Sequence, residues 1–179
     1  EELYEQAWEL SNRRYARAKR TLGKACFDRG EYEACVQHMD EALVIAPMVA
    51  WSWYIKGVAT MRLSQWDEAL LAFSRCVQQD SEGGEAWANS GSIHMHLKQY
   101  SKALMAFEEA YKYKRDSWRL LENIMAVCLL LNKFPDCIAH MNTLLDMREQ
   151  SDRPVHKQEL RRLCFMTAAV NRKAVRDNA

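Results

Sequence analysis

The sequence predicts an all-α protein, an α-solenoid of stacked helix-turn-helix units. Three observations carry that expectation. Residue types recur every 34 positions without insertion: Gly23, Gly57 and Gly91 form one series, and Tyr32, Trp66, Tyr100 and Phe134 another. Apolar residues inside a unit follow a helical spacing, as Trp66, Ala69, Leu70 and Phe73 do at i, i+3, i+4 and i+7. Glycine and proline are scarce, 6 and 3 among 179 residues, which disfavours collagen-like, linker-like and loop-rich all-β folds.

The elements follow in order. Residues 1–12 read as a helix whose Ala7-Trp8 matches Ala42-Leu43 near the end of a later helix. They are expected to be the tail helix of a preceding repeat, in a chain that begins inside a longer protein. Four units then run over 16–49, 50–83, 84–117 and 118–151, each with two helices, for example 51–63 and 66–79. Gly30, Ser64, Lys98 and Asn132 fall at the turn between the paired helices. Pro47 follows Leu43-Val44-Ile45, where a residue without an amide hydrogen ends a helix. Residues 155–173 carry Leu160, Leu163, Cys164, Met166 and Val170 at helical spacing. They are expected to form a capping helix, because a terminal unit otherwise exposes the apolar face it would bury against a neighbour.

Small residues recur where paired helices must approach: Cys35, Ala69, Ala103 and Cys137, then Ala42, Cys76 and Ala110. The six cysteines contain no CxxC pair, and their spacing suits neither zinc ligation nor a redox motif. They are expected to be free thiols acting as small apolar core residues.

Several function classes are disfavoured. A net charge of +1 argues against bulk electrostatic capture of nucleic acid. The longest apolar run, 124–131, is far shorter than the roughly 18 residues a membrane helix needs. There is no GxSxG, P-loop, GxGxxG or HExxH motif, so neither enzymatic activity nor a cofactor is expected. His94 and His96 stand two apart and would point in different directions on a helix, with no convergent third ligand, so no metal site is expected.

The repeat resembles the tetratricopeptide repeat, whose shape is W-x-x-L-G-x-x-Y followed by G-x-Y, A, F, A and P. Trp53, Gly57, Trp66, Ala69 and Phe73 carry the likeness in the second unit; Trp87, Gly91, Tyr100, Ala103, Phe107 and Ala110 carry it in the third. Gly23, Gly30, Tyr32, Ala42 and Pro47 carry it in the first. The fourth unit departs most, with Leu121 for the Trp and Met125 for the Gly. The resemblance implies a right-handed superhelix whose concave groove is lined by first helices. It maps groove positions onto Arg17, Arg20 and Lys24, then Trp51, Tyr54 and Met61. Asn89, Ser92, Met95, Arg119 and Asn123 complete the set. Trp51, Tyr54, Met61 and Met95 would form an apolar strip, while Asn89 and Asn123 resemble an asparagine ladder that holds extended peptide backbone. The carboxylate clamp of co-chaperone domains is incomplete: one register reads Tyr54, Val58, Asn89, Arg119 and Asn123, another Arg20, Lys24, Ile55, Glu85 and Asn89.

A narrower resemblance, to the tetratricopeptide repeat protein 27 family, rests on residues outside the generic shape. These include 4–11, Ala16-Arg17-Ala18, Pro47-Met48, Arg75-Cys76-Val77, 85–89 and Trp118 with Glu122-Asn123. It implies the C-terminal repeat block of a long intracellular protein, cytoplasmic or nuclear, serving as a scaffold in chaperone-associated assembly. The expected partner is a protein or peptide bound on the concave face, and oligomeric state stays open. Two alternatives remain: an RNA-binding helical repeat using the basic segment 13–24, which holds Arg13, Arg14, Arg17, Lys19, Arg20 and Lys24, and a purely structural segment of the parent protein.

Overall fold

In the computed structural model, which describes residues 1–151 and Ala168, the described residues form nine helices and no strand. They are α1 (Glu2–Leu10), α2 (Ala16–Arg29), α3 (Tyr32–Ile45), α4 (Ala50–Arg62) and α5 (Trp66–Gln79), then α6 (Gly84–His96), α7 (Tyr100–Tyr113), α8 (Trp118–Leu130) and α9 (Phe134–Ser151). The expected capping helix at 155–173 lies outside the described residues.

Backbone chemistry explains why the helices stop where they do. Gly30, Ser64, Lys98 and Asn132 all have left-handed backbone, with φ of 81°, 60°, 58° and 60°. The amide after each one reaches back to a carbonyl of the preceding helix. Glu31 donates to Cys26 at 2.9 Å, Gln65 to Thr60 at 2.9 Å, Gln99 to His94 at 2.8 Å and Lys133 to Cys128 at 2.8 Å. This six-to-one closure satisfies a carbonyl that the helix end leaves open and reverses the chain in very few residues. An aromatic residue then starts the next helix in all four cases: Tyr32, Trp66, Tyr100 and Phe134.

The chain forms two compact units, Glu1–Ile93 and the part from His94 onward. In the first, α1 packs on α2, α2 on α3, α3 on α4 and α4 on α5. Its core holds Cys35, Met39, Ala69 and Phe73, each wholly buried. Glycine makes the close approach possible: a Cβ on Gly57 would sit 2.7 Å from the Phe73 ring, and one on Gly23 would sit 3.0 Å from the Met39 methyl. The loop after α3 is tied down by its Pro47 carbonyl, which accepts from Trp53 Nε1 at 2.7 Å and Gln79 Nε2 at 2.8 Å.

In the second unit α7 packs on α8 and α8 on α9. Ala103, Phe107 and Ala110 are buried on α7, and Leu121, Ile124, Met125, Val127 and Cys128 on α8. Leu121 and Met125, the residues that depart from the repeat shape, are thus fully inside the core. The Cys137 thiol of α9 donates to the Met125 carbonyl at 3.8 Å, so a cysteine serves the close contact made elsewhere by alanine.

Candidate functional site

The first helices of the units present the candidate groove residues, and each compact unit holds its own set. In the first unit Trp51 opens α4 with 43% of its surface exposed, large for an indole. Tyr54, one turn later, is half-buried and leans on Phe73 with ring centroids 6.1 Å apart. Its hydroxyl donates to Glu85 Oε2 of α6 at 3.0 Å, and the Asn89 amide hydrogen-bonds to the same hydroxyl. Burial and the Glu85 carboxylate both push the phenol upward, so it stays a neutral donor. The structure therefore brings Tyr54, Glu85 and Asn89 into one polar cluster beside the exposed indole.

The remaining first-unit residues are less convergent. Met61 is half-buried near the end of α4. The Ser92 hydroxyl donates to the Ala88 carbonyl of its own helix at 3.0 Å. Lys24 is paired with Asp28 one turn along α2. Arg17 is exposed and Arg20 half-buried on the same helix. In the second unit Met95 and Asn123 are half-buried, and the Arg119 guanidinium lies 5.4 Å from the Trp118 ring. Asn89 and Asn123 fall in different units.

The basic segment 13–24 does not present one continuous cationic face. Arg13 pairs with Glu9 at 3.4 Å, and Lys24 with Asp28. Lys19 is only 6% exposed and is held by Glu5 of α1 at 3.3 Å and Glu41 of α3 at 3.0 Å. Its ammonium also stands 5.3 Å from the Trp8 ring centre and 3.5 Å from His38 Nδ1. Sequence reasoning missed this cluster, because lysine is ordinarily exposed and its two carboxylates come from other helices.

The cysteines Cys26, Cys35, Cys76, Cys128 and Cys137 are free and buried. Burial pushes the thiols of Cys35, Cys76 and Cys128 up to about 11. His94 Nδ1 donates to Gln99 Oε1 at 3.0 Å, and burial lowers its pKa. Among the described residues no group of three or more His, Cys, Asp or Glu could hold a metal ion, and no helix is long and apolar enough to cross a membrane.

Paired helices, left-handed turns at a 34-residue interval and glycine-mediated helix contacts define a helical repeat protein. The chain belongs to the tetratricopeptide repeat family, whose profile matches residues 56–117. It is 37% identical over 150 residues, 84% of the chain, to the tetratricopeptide repeat protein 27 homolog of Dictyostelium discoideum. A TPR repeat-containing protein of Schizosaccharomyces pombe is 33% identical over 159 residues, 87% of the chain. The chain spans about a fifth of the length of these relatives, 18% and 20%. Among solved structures, crystalline MamA superposes with a TM-score of 0.76 at 18% identity, covering 82% of this chain and 85% of that one. The first tetratricopeptide domain of Spaghetti, solved with an HSP90 peptide, gives 0.62 at 14% identity over 65% of this chain and 93% of its own.

Proposed function

We propose that the chain is a protein-interaction scaffold that binds an extended peptide segment across its first helices, in the setting of chaperone-associated complex assembly. The observation that carries this reading is the cluster of Tyr54, Glu85 and Asn89 beside the exposed Trp51. An indole offers flat apolar area at low conformational cost, and the adjacent amide both donates and accepts hydrogen bonds. Arg17 and Arg20 on α2 supply positive charge on the neighbouring first helix. The peptide bound to the Spaghetti domain is a property of that protein; it supports peptide recognition as a use of this fold.

The amide of Asn89 is already engaged by Tyr54, so a ligand would have to share or replace that bond. A display library of short peptides, panned against the chain, tests the reading. Trp51→Ala and Asn89→Ala should each weaken the selected peptides, by about 1 to 3 kcal/mol where a buried peptide group is left unpaired. Selected peptides that bind both variants as well as the parent would overturn this placement of the site.

A further inference from the structure

We propose that α2, α4 and α6 form a charge-graded track that selects an extended segment with an acidic residue at one end, an apolar residue at its centre and a basic residue at the other. The inference rests on the peptide-binding reading above and deepens it by naming the chemistry of the partner.

Repeat geometry sets the track. Arg17, Trp51 and Glu85 stand 34 residues apart, in the first turns of α2, α4 and α6, and all three side chains are exposed. They belong to one compact unit, in which α2 also packs against α4. One repeat position thus carries a cation, an indole and a carboxylate on successive first helices. The residue one turn later leans toward the next first helix, as the Tyr54 hydroxyl does in reaching Glu85 at 3.0 Å. Arg20 precedes Trp51 by the same 31 residues and adds a second cation at the α2 end.

Neighbouring charges sharpen the gradient. Arg14 is exposed just before α2, whereas Asp80 and Glu82 are exposed just before α6. Lys24 is paired with Asp28, and Arg13 with Glu9. The first turn of α2 holds no acid, and Arg17 carries the sign that a helix N-terminus disfavours. That cation does not serve helix stability; with the open amides of the same turn it attracts an anion. At the other end Glu85 accepts from a neutral phenol and so keeps its negative charge for a ligand cation. Packed helices stand about 8 to 10 Å apart, which puts the two ends of the track about 16 to 20 Å apart. An extended chain rises about 3.3 Å per residue, so the partner's opposite charges fall about five or six positions apart, with the apolar residue over Trp51 between them. Either chain direction satisfies the pairing.

Three end-capped heptapeptides with a central leucine test the track, each titrated into the chain by nuclear magnetic resonance. One carries glutamate and arginine at its ends, one two glutamates and one two arginines. The mixed-charge peptide should bind about fivefold or more tighter than either same-sign peptide at low salt, and its lead should shrink at about 0.5 M salt. Arg17→Glu should transfer the preference to the two-arginine peptide. Glu85→Gln, which keeps an acceptor for Tyr54, should let the two-glutamate peptide bind as well as the mixed one. Equal binding of all three, a same-sign preference in the parent chain, or an unchanged order in either variant overturns the charge gradient and leaves the peptide site standing. Binding by none of the three overturns both.

Discussion

Glycine and the residue opposite it decide how closely paired helices approach. Gly57 and Gly23 hold the same repeat position, yet their surroundings differ. A Cβ at residue 57 would meet three atoms of the Phe73 ring at 2.7 to 3.0 Å, and Phe73 is wholly buried. A rigid ring in a closed core cannot give way without displacing its neighbours. At residue 23 the nearest atom is the end of the flexible Met39 side chain, with His38 Cβ at 3.3 Å and the Cys35 carbonyl at 3.4 Å behind it. Alanine gains about 0.5 to 1 kcal/mol over glycine inside a helix, and overpacking costs about 1 to 3 kcal/mol. Gly57→Ala should therefore destabilise the protein by roughly 1 to 2 kcal/mol, while Gly23→Ala stays within about 1 kcal/mol of neutral. Urea denaturation followed by helix circular dichroism measures both. Equal losses at the two sites would show that the rigidity of the opposing side chain is not what matters. The period of 34 reveals these glycines in the sequence. It cannot reveal Lys19, because burial of a lysine depends on carboxylates 14 residues before it and 22 after it, on two different helices.

The helix pair shows the same principle in its turn. Four residues of different chemistry, Gly30, Ser64, Lys98 and Asn132, adopt one left-handed geometry because each closes the same six-to-one bond. Only glycine takes that conformation without a Cβ penalty. A Cβ added at Gly30 would meet nothing within 4 Å, so the cost of Gly30→Ala is backbone strain alone, about 1 kcal/mol. Lys98→Gly should do the reverse and stabilise its helix pair by up to about 1 kcal/mol, less the entropy that glycine adds to the unfolded chain. Denaturation midpoints of the two variants check the pair of signs. A destabilising Lys98→Gly would mean that the lysine side chain contributes more than its backbone conformation costs. The turn position is readable from spacing, since residues 30, 64, 98 and 132 interrupt the apolar stripes at equal intervals. The Tyr54–Glu85 bond is not, because it joins residues 31 apart through a geometry that spacing alone does not encode.

Across the whole molecule, the buried thiols distribute reporters over both compact units. Cys26, Cys35 and Cys76 belong to the first, Cys128 and Cys137 to the second. Each lies in a packed contact, and burial raises Cys35, Cys76 and Cys128 to about 11, so little thiolate exists in the native protein near neutral pH. Unfolding returns each thiol to an ordinary value near 8.5. A group whose pKa is higher when folded favours the folded state below its unfolded pKa, and loses that contribution as pH rises towards the native value. Stability should therefore decline from about pH 8.5 upward, the ordinary thiol pKa. Native alkylation should be slow and governed by opening of the structure, not by thiol chemistry at an exposed site. With Cys164 replaced by serine, pulsed alkylation and peptide mass analysis would follow the five buried thiols separately. Cys26, Cys35 and Cys76 should share one labelling rate and Cys128 and Cys137 should share another, if each compact unit opens cooperatively. A distinct fast rate at Cys26 would instead report α1 leaving its site ahead of the rest, since Cys26 lines a cavity beside α1 and Cys35 does not. Rapid labelling of Cys35 or Cys137 without denaturant would contradict their place in the helix contacts, where their exposures are 0% and 3%.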